Sequence, residues 1–263
     1  MIRLLLLLTP IMLLAKVHYA QVEPFETTTL KSAVSAQVVK ADISLEGKRV
    51  KNSLIIELDN KLDKIKLTSD REAIKLIKRM ISINQNTLSS LLKSLERQEA
   101  YYNRIKSIST VSITQKDKAF YSFINAKTQY LSVKEKIESL KKQKLDLLYN
   151  INRLQDSISK KSIRIKNRFL DKLLVHKGDF VNMGVALAVI KDLTKAKLVI
   201  FLEEDELKDI KSKKIYIDNK KTNYTISKIW SVTDNKFISA YRAEIIIKNP
   251  KEHFSKLLKV EFK

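Results

Sequence analysis

The longest regular pattern of apolar positions lies between Leu67 and Ile158. Apolar side chains recur there at alternating spacings of three and four residues, the 3.5-residue average of helices that pack along one seam. In the first arm the seam positions are Ile74, Ile77, Ile81, Asn84, Leu88, Leu91, Leu95, Gln98, Tyr102 and Ile105. In the second arm they are Phe123, Ala126, Tyr130, Val133, Ile137, Leu140, Lys144, Leu147, Ile151, Leu154 and Ile158. The pattern predicts an antiparallel helical hairpin over 61–161.

A fold-back of the chain near 112–114 predicts which seam positions face each other across the hairpin. The predicted facing pairs are Ile105–Phe123, Leu91–Ile137, Ile74–Leu154, Asn84–Lys144 and Gln98–Tyr130. The polar exceptions of the two arms coincide in this register. A polar pair in an apolar seam can fix alignment at a cost in stability, so Asn84 and Lys144 are predicted to act as a register device.

Alternating apolar and polar residues on both sides of the hairpin predict β-strands over 27–60 and 162–194. Each region contains one copy of a short motif, Leu45–Ser53 and His176–Gly184. Both copies place Gly at a turn, Val three residues later and a small residue three after that, before an apolar strand. Gly47, Gly178 and Gly184 are all the glycines of the chain, and glycine suits turns that need positive φ. We interpret the copies as an internal duplication; the alternative is two unrelated β-turns.

The remaining segment, 195–263, has the pattern of a small β-barrel. Short strands are predicted at 198–202, 215–217, 224–231, 241–248 and 259–262, with one acidic helix over 203–210. A run of carboxylates is favourable at the beginning of a helix, where the helix dipole is positive. The 195–263 segment is therefore predicted to be a separate β domain.

The N-terminus combines Arg3, an apolar run from Leu4 to Ala15, and the small residue Ala20 before a polar segment. Twelve apolar residues form a helix of about 18 Å, too short for a hydrocarbon core of about 30 Å. Residues 1–20 are therefore predicted to be an export signal peptide. Retention of the segment as a membrane anchor is the alternative.

Composition excludes several kinds of chemistry. The chain has no Cys and only three Gly, so thiolate sites, disulfides and glycine-rich phosphate loops are absent. The net charge of +22 is compatible with nucleic-acid binding, but the lysines flank both helical seams as solvated positions, and we expect no nucleic-acid partner. His176 and His253 lie in no metal-binding spacing. We expect no enzyme activity, no metal and no cofactor.

Taken in order, these features resemble the periplasmic adaptor, or membrane fusion protein (HlyD-like), family of tripartite efflux pumps and type I secretion systems. The resemblance implies an α+β fold. A lipoyl-like (barrel-sandwich hybrid) β domain, split into 27–60 and 162–194, would carry an inserted α-helical coiled-coil hairpin and be followed by a small β-barrel. In a lipoyl carrier domain a modified lysine would stand near Lys61. Here that turn opens into the hairpin, so Lys61 is expected to begin a helix.

The resemblance also implies a docking motif at the hairpin tip: an Arg, a Leu four residues later and a Ser seven after that, followed by Asp and Ala. Ser112, Asp117 and Ala119 match the later positions, and Ile105 stands at the Leu position. Tyr101 occupies the Arg position, with Arg104 one helical turn later. Independently of the family, Ser112 has the character of a helix N-cap.

The function implied is that of an adaptor in the periplasm, associated with the inner membrane. It would link a proton-driven or ATP-driven inner-membrane transporter to an outer-membrane exit duct, as a homo-oligomeric ring. The alternative is a structural coiled-coil protein of the envelope with no transporter partner.

Overall fold

The structure, a computed structural model, describes residues 16–233, 237, 239–248, 250 and 254–263. It divides into two compact units: a hairpin unit over 58–163, and a β unit formed by the chain before and after it. The predicted α+β class, a long helical hairpin together with a β-sheet region, is confirmed. The first fifteen residues of the predicted leader lie outside the described part of the chain.

The hairpin unit contains two long helices, α1 (Lys61–Lys106) and α2 (Ile113–Lys160). Every predicted seam position is buried or half-buried, and nearly all positions between them are exposed. Burial of one stripe on each helix is the outcome expected for a 3.5-residue apolar repeat. The prediction of the seam from the sequence is confirmed. Lys61 is the first residue of α1, as expected from the opened turn.

The predicted register of the hairpin is wrong: the partner of Phe123 moves by three residues near the tip, and the partner of Asp63 moves from 165 to Ser157, by eight residues, at the base. The chain turns at 107–112, and not at 112–114. As a result, Tyr102 packs against Phe123, with ring planes 4° apart and centroids separated by 6.0 Å. Ile105 was the predicted partner of Phe123. A shift along the repeat leaves the seam residues in the seam, so the apolar period alone does not distinguish the two registers.

The predicted Asn84–Lys144 register device is wrong as well. The side-chain amide of Asn84 donates a hydrogen bond to the carbonyl of Met80 in its own helix, at 2.7 Å. Asn84 therefore satisfies its polar group one turn back along α1. This hydrogen bond forms without a contribution from Lys144 across the seam.

Polar contacts close the base of the hairpin. The Leu58 N–H donates to the Lys161 carbonyl at 2.8 Å, which joins the chain just before α1 to the chain just after α2. Asp63 in the first turn of α1 accepts a hydrogen bond from the Ser157 hydroxyl at 3.2 Å and lies 2.8 Å from Lys161 Nζ. Because these groups are distant in sequence, they hold the two helices in register at this end.

The described residues of the β unit form eleven strands in one hydrogen-bonded sheet. Their bounds are β1 Val17–Lys31, β2 Ala36–Ala41, β3 Lys48–Leu58, β4 Ser162–Leu173, β5 Phe180–Val181, β6 Ala186–Glu203, β7 Ile215–Ile217, β8 Lys220–Lys221, β9 Ile226–Thr233, β10 Ala240–Lys248 and β11 Leu257–Phe262. A 3₁₀ turn lies at Ile43–Leu45, and α3 spans Glu204–Leu207, which is shorter than the predicted acidic helix. The strand order is β5-β2-β3-β4-β6-β1-β11-β7-β8, and β10 joins β6 to β9.

The two copies of the glycine motif exchange backbone hydrogen bonds across the β unit. The Gly47 N–H donates to the Leu170 carbonyl in β4 at 2.9 Å, and the Gly178 N–H donates to the Val38 carbonyl in β2 at 2.8 Å. Each turn therefore binds the half of the chain that carries the other copy. The equivalent valines, Val50 and Val181, are both buried. This reciprocal arrangement supports the interpretation of the copies as a duplication.

Seven strands in the order β8-β7-β11-β1-β6-β10-β9, here called the curled sheet, enclose one apolar core. The core includes Ala20 and Val22 from β1, Leu198 from β6, Ile245 from β10 and Val260 from β11. Strands that are far apart in the order share this core, so the sheet wraps around it. Among the described residues the end strands β8 and β9 do not pair with each other.

The last residues of the predicted leader, 17–20, lie in strand β1. Residues Val17–Gln21 pair with β11 in register, from Val17 opposite Glu261 to Gln21 opposite Leu257. Ala20 is 1% exposed and lies in the core of the curled sheet. The same observation extends the predicted β-barrel segment, 195–263, by the beginning of β1. A small residue before a polar segment is typical of a cleavage site, and in this chain Ala20 is also a buried strand position.

Candidate partner-docking site at the hairpin tip

The tip of the hairpin is built on a capped helix end. Ser112 has extended backbone angles, and its side-chain oxygen accepts a hydrogen bond from the Gln115 N–H at 3.3 Å. This is the geometry of an N-cap, which satisfies one of the free N–H groups in the first turn of α2. The N-cap interpretation of Ser112 is confirmed. Ser112 is also exposed, so the same residue can cap α2 and be presented to a partner.

Behind the cap, aromatic rings close the end of the seam. The Tyr102 ring lies 5.4 Å from Phe120 and 6.0 Å from Phe123, centroid to centroid. Contacts of this kind contribute about 0.5–1.5 kcal/mol beyond the area that they bury. Ile105 and Ala119 are buried on the same seam, 7% and 3% exposed. The tip is therefore a packed end of the coiled coil.

The predicted docking residues divide into two groups by exposure. Tyr101, Arg104, Ser112 and Asp117 are exposed on the outside of the tip, whereas Ile105 and Ala119 face the seam. A side chain in the seam cannot contact a partner directly. The role that fits Ile105 and Ala119 is to set the spacing of the two helices beneath the exposed residues.

Tyr101 and Arg104 form a pair on the surface of α1. The Arg104 guanidinium lies 5.7 Å from the centroid of the Tyr101 ring, within the range of a cation–π contact. Between 101 and 121 the chain carries four cations, Arg104, Lys106, Lys116 and Lys118, against Asp117 alone. The tip therefore presents a positive surface with aromatic groups on it.

Several exposed apolar residues at the tip were not predicted from the sequence. Ile113 is 78% exposed and Tyr121 64%, and Ile108 and Phe120 are each 40% exposed. A seam of 3.5-residue period can bury only one of three consecutive residues such as Phe120, Tyr121 and Ser122. The adjacent aromatics Phe120 and Tyr121 were therefore a signal that an apolar surface lies outside the seam.

The three glycine turns have the backbone conformation that glycine tolerates best. The φ angles are +69° at Gly47, +101° at Gly178 and +87° at Gly184. No heavy atom would lie within 4 Å of a Cβ built at any of these positions. Glycine is therefore required by backbone conformation and not by close packing.

The described part of the chain offers no metal centre, since it contains no group of three or more His, Asp or Glu side chains able to hold an ion. Among the same residues, no helix combines the length and the apolar character needed to cross a membrane.

No protein-family model matches the sequence, and no curated protein matches it. Solved structures do resemble it. MacA from Actinobacillus actinomycetemcomitans superposes with a TM-score of 0.65 at 18% identity, over 94% of this chain and 78% of that one. The membrane fusion protein Spr0693 from Streptococcus pneumoniae R6 gives 0.59 at 10% identity, over 95% and 99%.

A MacA–MexA chimeric protein that contains the Pseudomonas aeruginosa MexA α-hairpin domain gives a TM-score of 0.54 at 17% identity, over 94% of this chain and 80% of that one. The chain has the fold of the membrane fusion, or periplasmic adaptor, proteins. The likeness covers the helical hairpin and the β unit together, since it extends over more than nine-tenths of the residues. The membrane fusion fold thus accounts for the order of the elements, with the hairpin inserted between the two motif copies.

Proposed function

We propose that this protein is a periplasmic adaptor, which links an inner-membrane transporter to an outer-membrane exit duct for efflux or secretion. The observation that carries the proposal is a capped, exposed hairpin tip, presented by a long hairpin that is inserted into a duplicated β unit. The same order of elements occurs in the membrane fusion fold. The adaptor would act by contact and would catalyse no reaction, while the transporter supplies the energy.

In this proposal the β unit forms two domains. The interlocked halves around Gly47 and Gly178 are a lipoyl-like domain, split by the hairpin, and the curled sheet is the β-barrel domain. The reciprocal hydrogen bonds from Gly47 to Leu170 and from Gly178 to Val38 support the first assignment. The enclosed core of the curled sheet supports the second.

The tip would dock onto the duct through its exposed face. Tyr101, Arg104, Ser112 and Asp117 are the predicted contacts, and Ile113 and Tyr121 extend the apolar part of that face. Aromatic and Arg side chains are the residues that most often dominate binding energy at protein interfaces. The excess of positive charge indicates an acidic partner surface.

A homo-oligomeric ring is supported by two apolar stripes on the sides of the hairpin. On α1 the stripe lies one residue before the seam, and on α2 it lies one residue after the seam. Its members are Leu62, Leu76, Met80 and Ile83 on α1, and Phe120, Leu131, Leu145 and Leu148 on α2, all 39% exposed or more. Because the helices are antiparallel, these offsets put the stripes on opposite faces of the hairpin.

Two different apolar surfaces on one molecule favour head-to-tail packing, because the α1 stripe of one copy can cover the α2 stripe of the next. Such heterologous contacts close into rings when the rotation permits. In this proposal, replacement of Leu76 and Leu145 by Glu abolishes the oligomer and leaves a helical monomer. Sedimentation measures the oligomeric state. A multimer that persists when both residues are replaced contradicts the ring.

The docking role is tested by substitution at the tip in the native host. Ser112→Arg, or Arg104→Ala, should abolish transport of the cargo while the chain stays folded and exported. Thr128→Arg is the matched control, because Thr128 is exposed on the back of α2, away from both the tip and the seam. Ser112→Asn separates docking from capping, because Asn also caps helices well. Wild-type transport by both tip variants would refute the docking role.

The second candidate is a structural coiled-coil protein of the envelope without a transporter partner. The hairpin and the export signal agree with it, but it does not explain the duplicated motif. Purification of the chain from native membranes after mild crosslinking distinguishes the two. Recovery of an inner-membrane transporter or an exit duct supports the adaptor, and recovery of neither supports the structural protein.

A further inference from the structure

A groove of about 700 Å³ lies on the curled sheet. One wall is β9, and the other is formed by α3 and the residues that follow it. Grooves of this size are typical of ligand or peptide sites. Neither the tip nor the glycine turns contribute to this groove, so the adaptor proposal leaves it without a role.

The β9 wall presents a strand edge and not a strand face. Six consecutive residues, 226–231, line the groove. Because alternate side chains of a strand point to opposite faces, six in a row can line one groove only where the strand runs along it edge-on. Among the described strands β9 pairs with β10 alone. Its other edge therefore carries backbone N–H and C=O groups that a further strand could bond.

The opposite wall has the geometry to hold a strand against that edge. Glu204 and Leu207 of α3 line it, together with Lys208 and Lys211 from the turns that follow α3. Leu207 packs on the core of the curled sheet, as do Ile226 and Ile229 from β9. An added strand would thus find an apolar floor on its inner side. Six residues of β9 span on the order of 20 Å, enough for a strand of similar length.

The charge of the groove indicates which side chains a strand bound there would carry. Lys208, Lys211 and Lys228 are exposed along it, against one carboxylate, Glu204. Lys228 Nζ lies 4.3 Å from the centroid of the Trp230 ring. The Arg242 guanidinium lies 4.8 Å from the same ring. The outer side of the groove is therefore positive, while its floor is apolar.

We propose that the free edge of β9 binds an extended segment of a partner protein by strand addition. The segment would alternate apolar residues, directed to the Leu207, Ile226 and Ile229 floor, with acidic residues, directed to the lysines. Main-chain hydrogen bonds supply affinity in this mode and alternate side chains supply specificity. Lysines on an edge strand also occur as a protection against aggregation, and the experiment below separates the two roles.

Trp230 is the only tryptophan of the chain, so its fluorescence reports on this groove directly. The full chain is titrated with a nine-residue peptide that alternates Val and Glu. We expect a saturable change in Trp230 emission. Two further peptides carry N-methyl groups on every Val or on every Glu, which removes the N–H groups of one strand edge. Loss of binding by either methylated peptide supports strand addition, and full binding by both overturns it.

Charge reversal tests the role of the lysines. Lys208→Glu with Lys211→Glu should weaken the Val–Glu peptide at least about fivefold, from the usual size of exposed ion pairs. Lys127→Glu with Lys142→Glu is the matched control, because it changes the net charge equally at exposed positions of α2. Circular dichroism verifies that all variants are folded. The proposal is refuted if the Val–Glu peptide does not bind. It is also refuted if dodecyl phosphate, an anionic amphiphile, binds in place of the peptide.

Discussion

The hairpin unit and the β unit are stabilised in different ways. The hairpin buries one stripe per helix, and the most buried large apolar side chains of the two helices, Ile137 and Leu140, are each 4% exposed. In the β unit, Leu198, Ile245 and Val260 are completely buried in a core shared by several strands. A seam between two helices has solvent on both sides, whereas a core enclosed by a sheet has none. We therefore expect equivalent truncations to have unequal effects in the two units.

The difference also bears on function. A two-helix hairpin needs only the contacts between its two helices, so it can present a tip without a surrounding core. The β unit depends on pairing between distant segments, such as β1 with β11 and β6 with β10. In the proposed adaptor, the hairpin is suited to reach a partner, and the β unit is suited to hold the base of that hairpin.

The largest expected effect is a cavity in the core of the curled sheet. Leu198→Ala should cost about 3–5 kcal/mol of unfolding free energy, because the enclosed site cannot collapse around the lost atoms. Leu140→Ala in the hairpin seam should cost about 2 kcal/mol, because neighbouring side chains and water can adjust there. Urea denaturation, followed by Trp230 emission and by helical circular dichroism, measures both. An equal or larger loss for Leu140→Ala would contradict the comparison.

The next largest effect is expected from truncation at the N-terminus. Removal of residues 1–20 deletes four of the five β1 residues that pair with β11, and with them the 2.8 Å contact between His18 and Glu206. Loss of these hydrogen bonds and of buried Ala20 should cost the β unit about 2–4 kcal/mol. Removal of residues 1–15 leaves every described contact in place and serves as the control.

The position at which the exported chain is cleaved in the cell bears on the same β1–β11 pairing. We expect the mature chain to begin no later than Val17, since β1 begins there. Mass spectrometry of the exported protein measures the cleavage position. A mature chain that begins at Gln21 and melts like the longer form would show that the β1–β11 pairing contributes little.

Alanine at the glycine turns should have smaller effects, and they should differ between the motif copies. Gly47→Ala is expected to cost about 1 kcal/mol, since its φ of +69° is close to the left-handed region that other residues can reach. Gly178→Ala should cost about 2 kcal/mol, because its φ of +101° lies outside that region. Thermal melting ranks the two variants, and the reverse order would indicate that packing, and not φ, decides the cost.

The smallest effect concerns acid stability of the β unit. Burial alone raises the pKa of Asp192, but hydrogen bonds from the Thr194 hydroxyl and N–H, together with the Arg168 guanidinium, hold that pKa below its ordinary value. Hydrogen bonds from Lys259 and Lys263 likewise lower the pKa of Glu261.

A carboxyl group with a lowered pKa contributes stability at pH values above its unfolded pKa, about 4, and that contribution is lost as the pH falls through the folded pKa. The melting temperature of the β unit should therefore decrease below about pH 4. Asp192→Asn should reduce the slope of this decrease, since the titrating group is gone. An unchanged slope would exclude Asp192 as a contributor.

The candidate site was only partly predictable. The cap at Ser112 follows from one residue type before a helix, and the sequence was sufficient for it. Which tip residues are exposed depends on how two helices meet, so Ile105 and Ala119 were assigned to docking although both face the seam. The exposure of Ile113 becomes evident only when the turn is located at 107–112, whereas Tyr121, next to Phe120, had a signal in the sequence. The open edge of β9 has no signature in the sequence at all.

The sequence by itself determined the elements that depend on local periodicity: the two helices, the residues of their seam, the glycine turns with positive φ and most strands after the hairpin. A helix or a turn is decided by residues a few positions apart, so a pattern in one dimension is enough. Tertiary structure decided the register of the hairpin, because a shift by one heptad leaves the apolar pattern unchanged. It also decided that Val17–Ala20 belongs to a strand, since only the distant β11 pairs with that segment and buries it.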